Sequence, residues 1–369
     1  MQGDSALIEL LRHTYATYVN GFSGKNMNAQ QLITSDRLDI YTKHLKVKPD
    51  QAMAAYHWNK ALAGAMLPAL QCLEITLRNA IDLGIRRSPP PAATTLYETD
   101  HNWIFTLPRY MGNRAFRRPN ERYKLARRGE EQDENGFALD MHGKRIIARK
   151  IHVETMIDNA KSEIVRLNKT LTPGRVISGL SFGFWTQLLT HHYENRPHQS
   201  FNLLWPHLTR VVFPHAPLGW DREKICDAFF KVKELRNRLS HHEAMWKFHY
   251  DDPNTGRPDY NNPVYGAQAS CNLLRKHYAD MIEMIGWMSS DRKANFLNHS
   301  ANLRFYALCS VDGLNSYIAP DKIKAQIKVA RGGKGISKLI KTLEKNEFIR
   351  IVREGQTVFT IGSDNSILI

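Results

Sequence analysis

Apolar residues recur at helical spacing through most of this chain. Over residues 31–87 they fall at Leu62, Met66, Leu70, Leu73, Leu77 and Ile81, steps of three and four that put them on one helix face. Pro68 interrupts the stripe and predicts a kink or break there. A shorter helix is expected at Ala6–Tyr18, before a Gly/Asn/Ser-rich connection, and Pro89-Pro90-Pro91 ends the first long helical stretch. Residues 97–145 read as irregular, and from 129 onward as an exposed loop or short hairpin. Helical periodicity returns over 147–168, 175–195, 200–213 and 221–242. The stretch 250–264 holds Pro253, Asn254, Gly256, Pro258 and Pro263 and reads as loop. Leu273, Leu274, Tyr278, Met281, Ile285 and Met288 predict a further helix over 266–290 that closes the bundle. The expected fold class is mainly α.

The last sixty or so residues carry a different pattern. Leu303–Leu314 reads as a helix, Pro320-Asp321 opens a second, and Ile336–Asn346 follows a turn at Gly332-Gly333-Lys334-Gly335. Phe348–Val352 and Thr357–Ile361 alternate as strands around Glu354-Gly355-Gln356. Three short helices and a β-hairpin resemble the topology of a winged helix, with Lys334, Lys338, Lys341 and Lys345 flanking the third helix, where such folds face nucleic acid. The glycine turn lacks the Gly-x-x-x-x-Gly-Lys-Ser/Thr pattern of a phosphate loop. The expected organisation is a helical domain over 1–295, with a basic insertion at about 97–145, and a small α+β winged-helix-like unit over 300–369.

The segment Glu234-Leu235-Arg236-Asn237-Arg238-Leu239-Ser240-His241-His242-Glu243 is the densest chemistry in the chain. At about 100° per residue, Ile225, Ala228, Phe229, Val232, Leu235 and Leu239 share one stripe, and Arg236 falls inside it. A cation on a buried face needs an anion or a hydrogen-bonded partner. Asn237 and His241 are four apart and share a flank, where the amide can orient the imidazole. Arg236 and His241 point about 140° apart, so a frayed helix end or a second copy is needed to bring them together. The plain alternative is an arginine paired with an acid and two histidines at a helix C-terminus, where positive charge is favoured.

This motif resembles that of the HEPN superfamily, an arginine, a polar residue, a short variable run and a histidine. Its wider wording is similar to the Abi-like abortive-infection family within that superfamily. The order of Tyr56-His57-Trp58-Asn59, Leu73-Glu74-Ile75-Thr76-Leu77-Arg78-Asn79-Ala80-Ile81, Ser181-Phe182-Gly183-Phe184-Trp185, Leu204-Trp205-Pro206-His207-Leu208 and Val211-Val212-Phe213-Pro214 agrees with it over residues 30–250. The resemblance implies a HEPN-like helical bundle and a metal-independent endoribonuclease with no cofactor, acting as a toxin in bacterial phage defence. It also implies a homodimer through the 221–245 helix and control by an antitoxin or small regulatory RNA. Arg236 is then expected to bind phosphate, His241 to transfer protons and Asn237 to orient one of them, with Glu74, Arg78, Asn79 and His242 lining or supporting the cleft. Glu74 and Arg78 equally suit an ordinary i,i+4 ion pair.

Charge changes this picture in one direction. The chain carries a formal +15, and eight Lys or Arg lie in 109–128 against one acid, Glu121. Arg114, Arg117, Arg118, Arg122, Lys124, Arg127 and Arg128, interleaved with Phe116 and Tyr123, suit an RNA strand by charge and stacking. The alternative functions are a catalytically silent RNA- or protein-binding module and a DNA-binding regulator led by the C-terminal unit. Cys72, Cys226, Cys271 and Cys309 are too far apart in sequence for a Cys-x-x-Cys zinc site or a disulfide framework. Neither a signal peptide nor a run of about 20 apolar residues is present, so a cytoplasmic protein without a membrane partner is expected. His191-His192 are expected at a surface or interface rather than on a metal.

Overall fold

A 36-residue helix, α2 (Ala52–Arg87), organises the chain in the computed structural model. The structure describes residues 32–88, 102–107, 123, 126, 129–146, 152–195, 204–255, 257–298, 300–319, 326–328, 341, 349–353 and 356–361. The helix expected at Ala6–Tyr18 lies outside them. Among the described residues there are twelve α-helices, so the molecule is mainly α. Helix α1 (Ser35–Ile40) runs into a π-helical turn, Tyr41–Leu45, before α2.

Helix α2 passes Pro68 without a break. Proline removes one N–H and crowds the carbonyl four residues back, here that of Gly64. Gly64 is exposed, with open space where a Cβ would stand, so that carbonyl can turn to water. The apolar stripe on both sides is fully buried at Leu62, Met66, Leu73, Leu77 and Ile81, and this burial outweighs the lost bond.

Around α2 stand α3 (Trp103–Thr106), α4 (His152–Arg166), α5 (Pro173–Gly179), α6 (Phe182–Gln187), α7 (Thr209–Val212) and α8 (Arg222–Ser240). The 97–145 stretch is not all surface. Trp103, Ile104 and Leu107 enter the core, and the Trp103 indole donates to Asp82 on α2 at 2.8 Å. The 175–195 periodicity is three elements, because Leu180 and Ser181 turn extended between α5 and α6, and His191–Tyr193 is a 3-10 turn. His191 and His192 are both exposed, with their rings 4.1 Å apart. Isolated antiparallel bridges Gln132↔Ala138 and Leu139↔Arg145 give the 129–146 segment its hairpin character.

Residues 250–264 are not a plain loop. Strands β1 (His249–Asp251) and β2 (Pro258–Pro263) pair antiparallel. Neither strand has a buried residue, so no alternating apolar signal marks them in the sequence. Helix α9 (Ala267–Met288) then packs along α2.

The chain after α10 (Ser290–Leu297) departs from expectation. Leu303–Leu314 is two helices, α11 (Ser300–Leu308) and α12 (Val311–Ile318), separated where Ser310 caps the second through Gly313 N–H. Both pack against α2 instead of opening a separate unit. Trp58 donates to the Leu308 carbonyl at 2.9 Å, and Phe305 stacks on Tyr278 of α9 at 3.7 Å. Arg275 binds the carbonyls of Tyr306 and Cys309, each at 2.6 Å. Further on, β4 (Ile349–Arg353) and β5 (Gln356–Ile361) form the antiparallel hairpin read from the sequence. A strand not read there, β3 (Gln326–Lys328), pairs parallel with β4.

Candidate active site

Helix α8 starts at Asp221, whose carboxylate accepts from Lys224 N–H and is held below the usual carboxylate range chiefly by that bond. Ile225, Phe229, Val232 and Leu235 are buried and fix the helix roll, which leaves Arg236 half-buried, Asn237 half-buried and His241 exposed.

Arg236 faces Glu74 on α2. Burial raises the Glu74 pKa, and the nearby guanidinium of Arg236, then that of Arg78, pull it back down. Glu74 also accepts a hydrogen bond from the Phe182 backbone N–H, the first residue of α6. One carboxylate therefore joins α2, α6 and the Arg236 side of α8. Arg78 reaches Asn79 at 3.4 Å rather than forming a close pair with Glu74.

The Phe-Gly-x-Trp segment supplies the floor. Phe182, Phe184 and Trp185 are buried, and Phe182 packs against Phe229 of α8. The segment before α8 does the same with Trp205 and Phe213, and the Trp205 indole donates to the Leu188 carbonyl at 2.6 Å. These residues are scaffold, as the sequence suggests.

The end of α8 is ordered rather than frayed. His241 is its C-cap, with its N–H bonded to the Asn237 carbonyl at 2.9 Å. His242 follows at φ 55°. The His242 N–H binds the Leu239 carbonyl and the Glu243 N–H binds the Arg238 carbonyl, which is the Schellman closure of a helix. Arg236 and His241 are thus not brought together within one chain.

Two residues to which the sequence gives no individual role, Asn59 and Arg238, set this end in place. Asn59, buried on α2, donates to the Glu243 carbonyl at 3.1 Å and accepts from Met245 N–H at 3.0 Å. A polar residue inside an apolar stripe is the signal that could have found it. Arg238 binds the Lys247 carbonyl at 2.5 Å and lies over the Phe248 ring, a role set by a loop that no local pattern reveals.

Of the lysines expected on the C-terminal nucleic-acid face, Lys341 is described and is exposed; Lys334, Lys338 and Lys345 lie outside the described residues. So do Arg114, Arg117, Arg118, Arg122, Lys124, Arg127 and Arg128. Among the described residues no group of three or more His, Cys, Asp or Glu is placed to hold a metal ion, and no helix is long and apolar enough to cross a membrane. All four cysteines are buried and free. Cys271 and Cys309, far apart in sequence, meet in the core, where the Cys309 thiol donates to the Cys271 carbonyl at 3.5 Å.

Compared with models of known protein families, with curated proteins and with solved structures, the chain matches none.

Proposed function

We propose that this protein is a metal-independent endoribonuclease of the HEPN type, acting as a dimer and serving as a toxin in phage defence. The observation that carries the chemistry is the placement of Arg236 half-buried beside Glu74 while Asn237 and His241 occupy the adjoining helix end. A guanidinium in that position can hold the two free oxygens of a phosphodiester and offset the charge that builds up during attack. The exposed imidazole can move the proton.

In the reaction, the ribose 2′-oxygen attacks the adjacent phosphorus as its proton passes to an imidazole. The P–O5′ bond breaks and O5′ takes a proton from an imidazolium. The products are a 2′,3′-cyclic phosphate and a 5′-hydroxyl. One chain presents a single His241 pointing away from Arg236, so a second copy across the 221–245 helix supplies the complementary half. The toxin role and its control by an antitoxin or small RNA rest on the resemblance of the motif to the Abi-like family.

The test is cleavage of RNA in chelator by the native chain and by His241→Ala, matched for folding and oligomeric state. A loss on the order of 10²-fold or more is expected, with cyclic-phosphate ends from the native protein alone. Equal activity would remove His241 from the mechanism. A native chain that cleaves as a monomer would remove the dimer.

A further inference from the structure

A cavity of about 420 Å³ opens on the other side of the α8 terminus from Arg236. Arg37 of α1, Arg238 and His242 of the α8 end, Lys247 of the following loop and His249 at the start of β1 all line it. Its rim also carries two carboxylates, Asp36 and Glu243, and its apolar wall includes the buried Tyr41. The cavity is large enough for more than a bare ion and falls in the range of small-ligand sites.

Five side chains here donate hydrogen bonds or can do so, and they come from three separate segments of chain. Burial lowers the His249 pKa, Lys247 and Arg238 lower it further, and Asp259 opposes them. His44 next to it is lowered by burial and then by Lys247, His249, Lys46 and Lys43. The negative end of a helix dipole ordinarily repels an anion. Here the Schellman bonds occupy the carbonyls of Arg238 and Leu239, the His241 N–H occupies that of Asn237, and Arg37 approaches the His241 carbonyl at 3.5 Å.

The conformation of His242 adds an independent observation. The position after a helix C-cap, at positive φ, favours glycine. This chain places an imidazole there, on the wall of the cavity.

We propose that this cavity is a nucleotide subsite that binds one phosphate of an RNA strand through Arg37, Lys247, His242 and His249, next to His241. The inference rests on the ribonuclease reading for the identity of the strand and for its purpose, which is to hold the phosphodiester backbone beside the reacting bond. Arg238, already bonded to Lys247, shapes the wall. The two carboxylates accept hydrogen bonds from ribose or base, which gives the subsite polar groups besides those for phosphate.

The experiment is equilibrium binding of a 2′-O-methyl oligoribonucleotide, which cannot be cleaved, to the full chain. Arg37→Ala and Lys247→Ala are each expected to weaken binding about 10-fold and together about 100-fold, while reducing its salt dependence. Leu218→Ala, at an exposed position outside the cavity, is expected to bind as the native protein does. His242→Gly is expected to melt higher, because glycine relieves the backbone, and yet to bind more weakly. That pairing separates a ligand role from a folding role. Native-level binding by the Arg37/Lys247 double variant, or no binding by the native chain, overturns the proposal. Displacement by a mononucleotide at concentrations that leave the variants unaffected would assign the cavity to free nucleotide instead of a strand, and tighter binding of duplex DNA would overturn the RNA assignment. Binding that depends on these residues, with no cleavage of the unmodified RNA by the native chain, keeps the subsite and removes the ribonuclease reading.

Discussion

Arg236 and Arg238 leave the same helix two residues apart, about 200° around its axis, and the surroundings give them opposite roles. Arg238 is committed: its guanidinium holds the Lys247 carbonyl and covers Phe248. Arg236 stands near Glu74, and among the described residues no hydrogen bond or salt bridge holds its guanidinium. An arginine that closes a loop is part of the fold. One that is half-buried and only electrostatically balanced is free to take a ligand's oxygens. The two faces of α8 therefore differ less in composition than in how much of their hydrogen-bonding capacity the fold has already used.

The largest effect is expected at Asn59, which holds the end of α8. Asn59→Leu leaves the buried Met245 N–H without a partner, at about 1–3 kcal/mol, and also frees the part-buried Glu243 carbonyl. A large fall in the denaturation midpoint is expected, with loss of both faces at once. Arg238→Met removes a charged donor from a backbone carbonyl and is expected to cost about 1.5–3 kcal/mol, read by chemical denaturation. Arg236→Met is expected to change stability by less than about 0.5 kcal/mol while abolishing RNA cleavage. Equal stability losses at 236 and 238 would erase the distinction.

Acid sharpens it on a smaller scale. Burial lowers the pKa of His277, which stacks on Phe248 at 4.8 Å, and Asp280 only partly opposes this. His44 and His249 are lowered too. The unfolded chain then binds more protons than the folded one just below the ordinary imidazole value of about 6.5. Stability is full above that value and falls as pH drops through it. Melting temperature is expected to decline as pH falls below about 6.5, and His277→Gln is expected to flatten the decline. A slope unchanged in that variant would take His277 out of the account.

The helical character was legible because burial repeats at three and four residues in α2, α8 and α9, and periodicity reports burial directly. The β1–β2 ribbon was not, because its side chains face water and leave no alternating apolar trace. The break at Cys309–Ser310 depends on one serine cap, too local to interrupt an apolar run. For the candidate site, the angular separation of Arg236 from His241 could be read from the sequence, and the ordered helix end keeps it. Glu74 could be proposed near Arg236 from charge alone. Arg37, Lys247 and His249 could not be linked to that helix, because loops and a distant turn bring them to it.

The packing of α11 and α12 on α2 sets a schedule for synthesis. The indole of Trp58 finds its carbonyl on Leu308, some 250 positions later, and the ring of Tyr278 waits for Phe305. At roughly 5–20 residues per second, the ribosome needs on the order of 15–60 s to deliver the segment that covers the long central helix. Until then that helix is a sticky, half-dressed surface, exposed to chaperones and to other nascent copies. Helix α8 emerges well before α11 and α12, so the candidate site is synthesised before the packing that completes the core along α2.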